Sequence, residues 1–91
     1  MGAVADAIRD KLQSTFAPER LEVVDDSARH AGHSGSRAGG ESHFVVTVVA
    51  AAFAGRSRVE RQREVNRALA EELAGPVHAL NILALAPGEG G

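Results

Sequence analysis

Four histidines are the residues of this chain best suited to chemistry: His30, His33, His43 and His78. His30 and His33 stand three apart in a glycine-rich stretch. A flexible loop can bring such a pair onto one metal, although a solvated polar loop would carry the same residues. His43 opens an apolar, β-branched run and reads as a strand-edge histidine. His78 opens another such run, and its parity with Leu80 and Ile82 predicts a partly buried, hydrogen-bonded ring. Three imidazoles can hold zinc with a bound water, but nothing in these spacings sets that geometry, so no self-contained metal site follows. The chain has no cysteine, which excludes a disulfide, a thiol nucleophile and any thiolate metal site within it.

Hydrolytic chemistry is poorly served. Ser27 and Ser42 lie near histidines, yet no Gly-x-Ser-x-Gly elbow surrounds either. Asp25 and Asp26 point to opposite faces if both are in a strand, which is poor geometry for an acid/base pair. No catalytic residue is assigned, and no enzymatic activity is expected. Gly32-His-Ser-Gly35 formally matches the Gly-x-x-Gly clamp of KH domains. That clamp joins two helices, whereas this tetrapeptide lies between two predicted strands.

Arg56, Arg58, Arg61, Arg63 and Arg67 form a local basic stretch in a chain whose net charge is −2. Such a stretch can contact phosphates. Glu60 and Glu64 sit at helical spacing from Arg63, Arg67 and one another, and predict a salt-bridged, solvated helix face instead.

These residues need elements to position them. Val4, Ile8, Leu12 and Phe16 recur every four residues, which predicts an amphipathic helix ending near Ala17-Pro18. Leu21–Asp25 is short and β-branched, a first strand. Residues 26–41 are polar and glycine-rich and read as a long flexible loop, a feature often functional in small domains. His43 to Ala51 alternates Phe44, Val46 and Val48 against Val45, Thr47 and Val49, a second strand. Ser57-Arg-Val-Glu60 has the capping-box spacing that opens a helix. Val59, Val65, Leu69 and Leu73 are its expected buried stripe, and Gly75-Pro76 its stop. Val77 to Leu85 is a third strand, and residues 88–91 a flexible end. The order helix, strand, strand, helix, strand implies an α+β domain, αββαβ, with a three-stranded mixed sheet and both helices on one face.

Ninety-one residues suit one domain. With only three phenylalanines, its core must rest on Val, Leu, Ile and Ala. No apolar run approaches the roughly 20 residues of a bilayer span. The first residues, Met1 to Asp6, lack the basic and apolar regions of a signal peptide, so no membrane association is expected and the cytoplasm is the expected compartment.

Taken together, these segments resemble the BolA family. The match is carried by Leu21-Glu-Val-Val-Asp-Asp-Ser27, the loop histidines, Gly40-Glu-Ser-His-Phe44 and Phe53-x-Gly55. Val59-x-Arg61-x-Arg63-x-Val65, Leu69 and Glu71-Glu-Leu-Ala-Gly-Pro-Val-His-Ala-Leu80 complete it. It covers about residues 4–87. One departure stands out: the family usually has histidine between the two arginines of the second helix, and this chain has Gln62. The loop is also longer than in some members.

The resemblance implies a class II KH-like fold and partnership with a monothiol glutaredoxin in iron–sulfur cluster trafficking or iron sensing. In that partnership a [2Fe–2S] cluster is shared. Glutaredoxin and glutathione supply thiolates, and the BolA-like protein supplies histidine. The family's C-terminal ligand carries over to His78, and its loop ligand to His30 or to its close alternative His33. Iron in such clusters accepts imidazole in place of thiolate, and a cysteine-free chain has imidazole or oxygen to offer. Without partners, no cofactor is expected. A second function attributed to members of the family is nucleic-acid-binding transcriptional regulation. It would use Arg56, Arg58, Arg61, Arg63 and Arg67, and net charge predicts weak DNA binding.

Overall fold

The computed structural model describes residues 2–26 and 42–89. His30, His33, Ser27 and the Gly32-His-Ser-Gly35 tetrapeptide lie outside the described residues. The chain runs through α1 (Ala3–Phe16), β1 (Arg20–Asp25), β2 (His43–Val49), a 3-10 turn (Ala51–Phe53), α2 (Arg58–Ala68), α3 (Ala70–Ala74) and β3 (Ala79–Leu85). The sheet order is β1-β2-β3, with β1–β2 antiparallel and β2–β3 parallel.

The four-residue spacing of α1 does what its periodicity predicts. Ala5, Ile8, Leu12 and Phe16 are buried, while Val4 packs at the rim. The helix ends with Ala17 in the left-handed conformation (φ 45°), its N–H donating to the Gln13 carbonyl at 3.0 Å. Pro18, which has no N–H to donate, follows at once.

Alternation along β2 divides the sheet into two faces. Phe44, Val46 and Val48 are fully buried, and their cross-strand neighbours Leu80, Ile82 and Ala84 on β3, with Val23 and Leu21 on β1, share that side. The helices cover this face with Ile8, Leu12, Val65 and Leu69. Phe53, delivered by the 3-10 turn, is also fully buried and lies 4.9 Å from the Phe16 ring, centroid to centroid. The opposite face is open, with Val24 and Leu83 more than half exposed.

The structure corrects several details of the second half. β2 stops at Val49, and Ala51 belongs to the 3-10 turn that swings Phe53 inward. The second helix is interrupted at Leu69, giving α2 and α3, although i→i−4 bonds run on from Leu69 N–H to Val65 and from Leu73 N–H to Leu69. No glycine or proline marks that break, so the sequence carried no warning of it. Val59 is 57% exposed rather than part of the buried stripe, because six residues of helix at about 3.6 per turn carry its side chain well away from that of Val65, while Arg61 and Gln62 reach β3 instead. The capping box itself is present: Ser57 Oγ accepts from Glu60 N–H at 3.1 Å, and Glu60 Oε1 accepts from Ser57 N–H at 2.7 Å. Lys11 of α1 ties down α3 through Glu71 (2.7 Å) and Glu72 (2.8 Å).

Candidate functional site

Ser42, His43 and His78 meet where β2 and β3 begin. Ser42 is 3% exposed. Its carbonyl accepts from both His78 N–H (2.8 Å) and Ala79 N–H (3.2 Å), so the His78 backbone is pinned on the last residue before β2. Ser42 Oγ and His43 Nδ1 share a hydrogen bond of 2.9 Å. The His43 and His78 rings lie nearly parallel, 19° apart, with centroids separated by 6.4 Å.

His78 is solvent-exposed, which overturns the partly buried ring expected from parity. Parity with Leu80 holds only inside a regular strand, and His78 precedes the first residue of β3, Ala79. An exposed imidazole on a pinned backbone is available to a ligand atom supplied from outside. Among the described residues, no group of three or more His, Cys, Asp or Glu side chains is placed to hold a metal ion. The His43–His78 pair is therefore at most part of a ligand set. The loop candidates His30 and His33 lie outside the described residues.

The arginines gather at the opposite end of the sheet. Arg61 Nη1 donates to the Ala84 carbonyl at 3.0 Å. From Ala79 to Ala84 the strand spans roughly 17 Å at about 3.3 Å per residue. α2 runs back along β3, so its N-terminal arginines meet the end of that strand and lie away from His78. Arg61 also grips Glu89 through both carboxylate oxygens (2.5 and 3.0 Å), and Glu89 accepts from Ala86 N–H at 2.9 Å. These donors, the Arg61 guanidinium first, hold the Glu89 carboxyl down at about 2. Within the end expected to be flexible, Glu89 thus makes contacts to both Arg61 and Ala86.

Arg56 pairs with Glu64 at 2.6 Å, and Glu60 is engaged in the capping box, so the helix face is salt-bridged with other partners than its spacing suggested. Arg56, Arg58, Arg61, Gln62, Leu83 and Glu89 line a groove of about 690 Å³ between α2 and β3. Gln62, at the position where histidine is usual, donates its amide to the Ile82 carbonyl at 3.1 Å. Sequence reasoning missed Ser42 as the anchor of His78, and Glu89 as the partner of Arg61. Both are contacts between residues far apart in sequence, with no local pattern to betray them.

A three-stranded mixed sheet with helices on one face, with an exposed histidine where the parallel pair begins, defines a small α+β domain. The family model described as "BolA-like protein" matches residues 12–89, and the chain belongs to the BolA family. Human BolA-like protein 1 is 48% identical over 89 residues, covering 98% of this chain and 62% of the human protein. The Vibrio cholerae DNA-binding transcriptional regulator BolA is 48% identical over 79 residues, 87% of this chain and 71% of that protein. Among solved structures, the BolA domain of SufE1 from Arabidopsis thaliana superposes with a TM-score of 0.86 at 42% identity, covering 98% of both chains. The chain thus spans less than two thirds of the human relative. Among the described residues, no helix is long and apolar enough to cross a membrane.

Proposed function

We propose that this BolA-family domain acts with a monothiol glutaredoxin in trafficking or sensing of [2Fe–2S] clusters, lending imidazole rather than catalysing a reaction. The observation that carries this reading is His78: the residue is exposed while its own N–H and that of Ala79 both donate to the Ser42 carbonyl. A pinned ligand keeps its geometry whether or not the cluster is present, and exposure lets a partner's cluster reach it. The cluster is cargo here. Glutaredoxin and glutathione provide thiolates, His78 one imidazole, and His30 or His33 a further one. The cytoplasm remains the expected compartment.

The test is visible circular dichroism of the domain mixed with a monothiol glutaredoxin, glutathione, iron and sulfide. His78→Ala should abolish the mixed-ligand spectrum, and His30→Ala should weaken or alter it, with His33 compensating in part. A wild-type spectrum and stability for His78→Ala would remove the proposed ligand.

A second reading, DNA-binding regulation, draws on the name of the Vibrio relative and on the arginine-lined groove. Arg56 and Arg61 are already engaged by Glu64 and Glu89, so few cations are left for phosphates. Binding should be weak and collapse with salt. Sequence-specific nanomolar binding at physiological salt, lost on Arg63→Ala, would favour this reading instead.

A further inference from the structure

The two edges of the sheet are treated differently. On β3 the carbonyls that point outward, those of Ile82 and Ala84, are capped by Gln62 and Arg61 from α2. Side chains thus occupy the positions a foreign strand would need. On β1 the Asp26 N–H donates to the His43 carbonyl at 2.7 Å. In an antiparallel ladder hydrogen-bonded residues alternate with outward-facing ones. The register Arg20↔Val49 through Asp25↔Phe44 therefore directs the backbone groups of Arg20, Glu22 and Val24 toward β2. Those of Leu21 and Val23 point away from the sheet, and no described residue bonds to them there.

The charges beside this edge, which no described residue covers with a hydrogen bond, are self-complementary. Arg20 and Glu22 flank Leu21 on the open face, more than half and half exposed, and pair with each other at 2.6 Å. A twofold axis through Leu21 would set Leu21 against Leu21 of a second copy, each N–H donating to the other's carbonyl. In that register Arg20 stands opposite Glu22 of the second copy, and Glu22 opposite its Arg20. Centring one step further along instead would oppose Glu22 to its own equivalent, a like-charge contact that costs stability. We propose that the β1 edge is a self-association surface, on which a second copy of this chain adds antiparallel β1 to β1 in the Leu21-centred register.

The result is a continuous six-stranded sheet. A strand edge alone covers less than the roughly 800 Å² per partner of stable interfaces, so the dimer is weak and forms at high concentration. Its axis lies toward the Arg20 end of β1, away from Ser42 and His78, and leaves both copies of that site open.

Sedimentation equilibrium over a concentration series up to about 1 mM, with amide spectra recorded alongside, tests this. Wild type should self-associate, with Leu21 and Val23 amides shifting as concentration rises. Arg20→Glu and Glu22→Arg each place like charges opposite one another and should weaken self-association by roughly tenfold or more. Mixed together, the two variants should associate as a heterodimer, because the charges are again opposed. Both substitutions are on exposed side chains, and far-UV circular dichroism verifies that each variant is folded. Wild type that stays monomeric throughout overturns the proposal. So does association unchanged in both variants, or a mixture of them that fails to regain it.

Discussion

Gln62 on α2 donates its side-chain amide to the Ile82 carbonyl on the outer edge of β3, 3.1 Å away. An imidazole N–H could make the same bond, but its charge would change between pH 5 and 8, whereas the amide holds the edge at any pH in that range. Gln62→Leu should leave the carbonyl without its protein donor and cost about 1 kcal/mol. The urea midpoint should fall with the slope unchanged. An unaltered midpoint would mean that water replaces the amide without loss.

Glu89 sets an acid limit. Its folded-state pKa is about 2 against 4.5 for the free group, so its clasp with Arg61 contributes fully above pH 4.5. That contribution declines as pH falls and is gone once Glu89 protonates near 2. Glu60, held down by the Ser57 N–H and hydroxyl, and Glu71, held down by Lys11, act in the same direction. Thermal midpoints should therefore drop between pH 4.5 and 2. Glu89→Gln should flatten part of that slope and lower the midpoint at pH 7. Identical slopes in both proteins would disprove the role of the clasp.

Ala17 closes α1 at φ 45°, a conformation costly for any residue with a Cβ. Ala17→Gly should stabilise the domain by about 0.5–1 kcal/mol, because relief of that strain outweighs the greater freedom of glycine in the unfolded chain. Chemical denaturation gives the sign directly, and a loss of stability would mean that the αL cost is smaller than supposed.

Ser57 opens α2 with a complete capping box. Ser57→Ala should cost about 1 kcal/mol and raise amide exchange in the first turn of α2, where Arg61 and Gln62 begin their reach to β3. Protection factors across residues 58–62 are the measurement.

His78 carries its proposed role in its ring and its structural role in its backbone. His78→Ala keeps both bonds to the Ser42 carbonyl, so stability should change by less than about 0.5 kcal/mol. Unfolding of that variant would mean the ring is structural, and a lost cluster signal could not then be assigned to a missing ligand.

Much of this domain is legible in the sequence because short-range physics writes it there. The Ile8, Leu12, Phe16 spacing specifies one face of a helix. The alternation of Phe44, Val46 and Val48 specifies the buried face of a strand, and Ser57-x-x-Glu60 specifies a helix start. Each depends on neighbours within a turn or a pleat, and the family motif is a chain of such local patterns. What the sequence could not decide involves partners distant along the chain. Nothing near Leu69 in the sequence, neither glycine nor proline, signals the break between α2 and α3. Val59 is apolar, but it stands six residues before Val65, off the face that Val65 and Leu69 bury, so its side chain stays exposed. His78 follows strand parity on paper, but the Ser42 carbonyl captures its backbone one residue before the strand and turns its ring to solvent. The direction of α2 along β3 separates the arginines from the histidines, a separation no local pattern encodes. Which edge of the sheet is capped was likewise a tertiary decision, because a side chain's reach across twenty residues of sequence depends on where the core places the helix that carries it.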